Sequence, residues 1–208
     1  MYRTAIGVGL AAMIIAAPAR AGAQDLSRLH QPVGPPIITR TPVLQDSLDR
    51  ISRGSALWRE ALELIRGAGR RALVLTPDQV AVAEEGGAGP FEAGVLAEVA
   101  PVTYAGSRVD VVLVVVNVPL LEEIHARRNS LRGELEADLD RILAHEVYGH
   151  ALPYLLAGDL SGRCPDPQPG QRADTACAIQ RENAVRAELR LGRRTDAGLG
   201  GLSLAWRH

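Results

Sequence analysis

His145, Glu146 and His150 lie within six residues of one apolar stretch, "ILAHEVYGHALPYLLAGD", from Ile142 to Asp159. Two imidazoles beside a carboxylate are the side chains a hydrolytic zinc site uses: neutral ring nitrogens hold the ion and the acid serves as general base. In the zinc-peptidase pattern H-E-x-x-H the histidines are four apart, so they sit about 40° apart on adjacent helical turns and reach one ion. Here they are five apart, which in a regular α-helix separates them by about 140°. A π-bulge, one extra residue in a turn, makes positions i and i+5 neighbours, and such bulges gather at functional sites. The spacing therefore predicts a widened turn between His145 and His150, with Gly149 the residue that best tolerates it. Only five histidines occur in the chain. The competing expectation is a pair of structural histidines bonded to backbone or acids.

"HEVYGH" resembles the H-E-x-x-G-H signature of the dipeptidyl peptidase III family, zinc peptidases that carry the extra residue; this likeness covers the motif alone. A broader resemblance, from about Ser55 to the end, is to the small zincin-like metallopeptidases found as type III secreted effectors and in Rhs-type toxins. Their order is a helix, a small sheet, a helix with H-E-x-x-H-A, and a later segment similar to E-N-x-x-R-x-E-L-G. The counterparts are "HEVYGHAL" and "RENAVRAELRLGRRT", Arg181 to Thr195; the departure is the inserted residue. The resemblance implies an α+β, zincin-like fold, with a small mixed β-sheet packed against an active-site helix and further helices before and after.

It also implies Zn²⁺ held by His145, His150 and, in the gluzincin manner, a Glu from a downstream helix, with Glu146 as general base on a peptide or protein substrate. Glu182 is the first choice for third ligand, being in the "EN" element with Arg186 at i+4 to steady it. Glu188 lies about 240° around the same helix from Glu182 and cannot readily share its role. Asp174, at or before the helix start, is a further alternative or a cap. Tyr148 could meet the developing oxyanion or serve the core. The expected function is an exported zinc-dependent peptidase. The alternative is a non-catalytic or degenerate zincin-like binding protein of the periplasm or cell exterior.

The bulk properties suit export. "MYRTAIGVGLAAMIIAAPARAGAQ" has Arg3, an apolar run from Ala5 to Ala17 and an A-x-A pattern, and reads as a secretory signal peptide over residues 1–23. No later stretch is apolar and long enough to span a membrane, so no stable membrane insertion is expected after cleavage. Losing Arg3 and Arg20 and no acid moves the net charge from −1 to about −3. A near-neutral surface gives no reason to expect nucleic acid as partner. All basic side chains are Arg, consistent with a GC-rich bacterial genome. Cys164 and Cys177, close in sequence in an oxidised compartment, are expected to form a disulfide.

Along the chain, residues 24–42 are polar and Pro-rich and read as a flexible leader, and 43–208 as one domain. Val43 to Gly69 shows helical periodicity. Ala72–Leu75, Val95–Tyr104 and Val109–Val118 read as strands of a small sheet with a hairpin at Gly106-Ser107. "GGAG", Gly86 to Gly89, lacks the Lys-Ser/Thr of a phosphate loop and reads as a loop tip. Leu131, Leu135, Leu139, Ile142 and Leu143 mark a helix that Asn129 or Ser130 can cap. It runs into the histidine motif; a Gly- and Pro-rich loop, Gly158 to Asp174, separates it from the helix "DTACAIQRENAVRAELRLG".

Overall fold

Leu44, Leu48 and Ile51 recur at one-turn spacing and are buried on a helix, α1 (Pro42–Gly54), which opens on proline where no amide partner is needed. The structure, a computed structural model, describes residues 34–81, 96–104, 107–158 and 173–194. The stretch of helical periodicity from Val43 to Gly69 is two helices. At Ser55 the backbone turns extended (φ −125°, ψ 122°), and its Oγ accepts from the Trp58 amide at 3.0 Å, capping α2 (Ala56–Gly67). A serine hydroxyl that offers the backbone a local bond breaks a helix that apolar periodicity alone would continue.

The sheet has four strands in the order β1 (Ile37–Ile38), β2 (Arg71–Leu75), β4 (Ser107–Val116), β3 (Ala97–Tyr104). β1 and β2 pair in parallel, as do β2 and β4; β3 and β4 form the expected antiparallel hairpin. Among the described residues β4 is thus interior and β3 lies at an edge. The end of that expected strand is also corrected. Asn117 accepts from the Leu120 amide at 3.1 Å and starts α4 (Val118–Arg127) at Val118. Ile37–Ile38 pairs with Ala72–Leu73, so the expected leader contributes a strand at its end. Alternation along β4 splits its side chains. Val112, Val114 and Val116 enter the main core beneath the helices, and Val111 and Leu113 form a smaller cluster with Leu73 on the other face.

A short helix, α3 (Pro77–Ala81), follows β2. Neither Asn129 nor Ser130 caps the helix before the motif: Asn129 adopts φ +52° to close α4, and the Leu131 amide donates to Glu134 at 3.1 Å to open α5 (Arg132–Leu143). α5 is tied to α1 through Asp140, which accepts from Ser47 Oγ at 2.5 Å and Arg50 Nη2 at 2.8 Å. After the motif come α6 (Leu152–Ala157), closed by left-handed Gly158, and α7 (Ala173–Leu189). The molecule is therefore α+β, with a small mixed sheet and helices on both sides of the motif in sequence. Among the described residues no helix is long and apolar enough to cross a membrane. The expected signal peptide, the "GGAG" tip, most of the loop after Gly158 and the tail from residue 195 lie outside the described residues.

Candidate metal centre

The helix widens where the histidine spacing requires it. α5 passes without a break into a π-helical segment, Ala144–Ala151, which continues into α6. At its end the Leu152 amide donates to Val147 O, five residues back. Ala144, Val147 and Ala151 enter the core on one side of this segment while His145, Glu146 and His150 stay partly open on the other. The imidazoles meet edge to face, with ring centroids 4.9 Å apart and planes at 90°. Two imidazoles bound at about 2.0–2.1 Å to one tetrahedral ion would have centroids about 5 Å apart, so this pair suits a shared metal.

α7 packs on the widened turn. A Cβ at Gly149 would lie 3.0 Å from Ala178 Cβ and 3.1 Å from its carbonyl oxygen. Glycine is thus needed here for the approach of α7 as well as for backbone tolerance. Arg181 Nε donates to Gly149 O at 3.0 Å, giving a carbonyl of the irregular turn a partner from α7.

That approach delivers Glu182, which is only 1% exposed. Its Oε2 is 3.0 Å from His145 Nδ1 and 3.2 Å from Arg194 Nη1, and its Oε1 accepts from Arg186 Nη1 at 2.6 Å. Burial alone would raise the Glu182 pKa; the bond from His145 and the charges of His145 and the arginines outweigh it, and the group lies below the usual carboxylate range. Glu146 goes the other way. Burial pushes its pKa up, with Glu182 and Glu98 adding to the shift and His145 and Arg194 opposing it. The two carboxylates are thereby shifted in opposite directions.

The segment after α7 is latched over this carboxylate. Asn183 Nδ2 donates to Arg194 O and Asn183 Oδ1 accepts from Arg194 N, both at 2.7 Å, and Arg186 Nε donates to Gly192 O at 2.7 Å. Gly192 takes φ +72° in the return. Asn183, Arg181 and Arg194 carry roles that residue-type reasoning did not assign, although all three stand in the "RENAVRAELRLGRRT" segment that drew attention to Glu182.

The other candidates fall elsewhere. Glu188 is exposed and binds Ser55 Oγ at 2.5 Å and the Leu57 amide at 3.2 Å, at the start of α2, consistent with its angular distance from Glu182. Tyr148 packs against the main core and its pKa is raised by burial, with Glu60 and Glu188 as further contributors. Asp174 is in α7, but its side chain lies outside the described residues. Cys177 is 2% exposed and is not a free thiol; Cys164 lies outside the described residues.

The donor chemistry fits a metal in part. The two imidazole rings are close enough to be a pair of ligands, yet among the described residues no three His, Cys, Asp or Glu side chains form a group that could hold an ion. Comparison with protein-family models, curated proteins and solved structures finds no match to this chain.

Proposed function

We propose that the chain is an exported zinc-dependent peptidase of zincin-like architecture, with His145 and His150 as metal ligands and Glu146 as general base. The observation that carries this proposal is the π-helical turn at Ala144–Ala151, which brings histidines five apart to 4.9 Å. Irregular helical turns of this kind cost regular hydrogen bonds and are found mostly where function uses them. Bound zinc would lower the pKa of a water from about 15.7 to ~7 and polarise the scissile carbonyl. Glu146, next to His145 and partly desolvated, would take the proton of the attacking water and pass it to the leaving amine. β3 pairs on one side with β4 among the described residues and packs on the π-helical segment, so its other edge can take an extended peptide by backbone pairing. The alternative, a non-catalytic module with structural histidines, rests on the same residues.

Purified protein, stripped and dialysed against zinc, should bind one ion per chain and hydrolyse a peptide library. Glu146→Gln should keep the zinc and lose about 10²–10⁴-fold in rate. A protein that stays folded and takes up no zinc would end the peptidase proposal. One that binds zinc and cleaves nothing would turn it toward the binding module.

A further inference from the structure

We infer that Glu182 is a positioning residue for His145 and leaves direct ligation of the metal to other groups, an assignment that rests on the metal proposal above and deepens it. His145 faces Glu182 with Nδ1, at 3.0 Å from Oε2. Both oxygens of Glu182 already accept from arginine N–H groups, so the carboxylate meets Nδ1 as an acceptor, which keeps the imidazole hydrogen on Nδ1 and leaves the lone pair on Nε2, the nitrogen on the far side of the ring. A ring held in that tautomer ligates through Nε2 and has its orientation fixed by the carboxylate behind it.

The surroundings of Glu182 point the same way. Oε1 is taken by Arg186, Oε2 by His145 and Arg194, and the side chain is almost fully enclosed. A dication on this carboxylate would have to displace one of these donors and sit beside two guanidinium groups. Glu182 also does not complete a three-ligand group with His145 and His150 in the described structure. The latch by which Asn183 carries Arg194 back over α7 is then explained: it sets Arg194 against Oε2, the oxygen that meets His145.

The test uses the full mature chain labelled with ¹⁵N and loaded with ¹¹³Cd²⁺. The cadmium coupling at His145 should appear on Nε2, with Nδ1 protonated. In parallel, Glu182→Gln should still bind one zinc per chain, with affinity about 10–100-fold weaker. Cadmium coupling at His145 Nδ1, or a folded Glu182→Gln protein with no stoichiometric zinc, would make Glu182 a ligand and overturn the inference while leaving the peptidase proposal standing. Should Glu182→Gln not fold, the coupling in the parent protein decides alone. If the parent protein binds neither ion, the metal proposal fails and this assignment fails with it.

Discussion

Gly149 and Ala178 are packed so closely that the absence of a side chain at 149 sets the distance between the π-helical turn and α7. Gly149→Ala would place a methyl 3.0 Å from Ala178 Cβ, 3.1 Å from its carbonyl oxygen and 3.2 Å from its Cα. Two of those three contacts are with backbone, so rotating a side chain cannot relieve them. Overpacking of this kind costs about 1–3 kcal/mol, and it should push Glu182 away from His145. Zinc affinity is expected to fall in Gly149→Ala and to be partly restored by adding Ala178→Gly, which removes the methyl-methyl clash alone. Isothermal titration on the two variants checks this. Equal affinities in Gly149→Ala and the parent would show that the close approach does not matter to the site.

The contact between Glu188 and the start of α2 carries a pH signature away from the metal centre. The pKa of Glu188 lies below its ordinary value of 4.5, chiefly through the hydrogen bond from Ser55 and further through the Leu57 amide. With the folded pKa depressed, the ionised form stabilises the fold above the unfolded value, and that contribution disappears as pH falls through the folded one. A carboxylate at a helix N-terminus also gains from the helix dipole. Thermal melts of the parent and Glu188→Gln should therefore differ by a constant amount above about pH 5 and converge as the pH drops below about 4. A difference that stays constant down to pH 3 would show that the charge contributes nothing.

Much of the site was legible because it depends on counting along one helix. The five-position step from His145 to His150 requires a widened turn if both are to reach one ion, and the turn is there. The i+4 relation of Glu182 to Arg186 foretold their ion pair, and the angle between Glu182 and Glu188 foretold their separate destinations. What was hidden depends on contacts distant in sequence. Whether β3 or β4 forms the edge is set by the pairing of β4 with β2, more than thirty residues upstream, and neither strand's alternation encodes it. The nitrogen of His145 that meets Glu182 follows from how α7 docks on Gly149. The break at Ser55 was missed because the apolar spacing on both sides is helical, and a single hydroxyl decided the outcome.

Asp138, on α5, is fully buried and joins three parts of the fold. His125 Nε2 on α4 lies 3.2 Å from its Oδ2, and Arg141 Nη1 donates to its Oδ1 at 2.5 Å. Arg141 reaches on from there to Leu191 O, in the segment that carries Arg194. Asp138 therefore compensates the charge of the arginine that anchors the latch, and its loss would leave Arg141 without its countercharge and His125 Nε2 without this partner. Removing one partner of a buried ion pair costs about 3–5 kcal/mol, because the remaining charge keeps its desolvation penalty. Asp138→Ala should lower Tm by on the order of 10 °C for a chain of this size. Asp138→Asn, which keeps an acceptor oxygen, should lose less. If the latch transmits the loss, zinc affinity should fall in Asp138→Ala at temperatures where the protein is still folded by circular dichroism. An unchanged affinity there would confine Asp138 to holding α4 on α5.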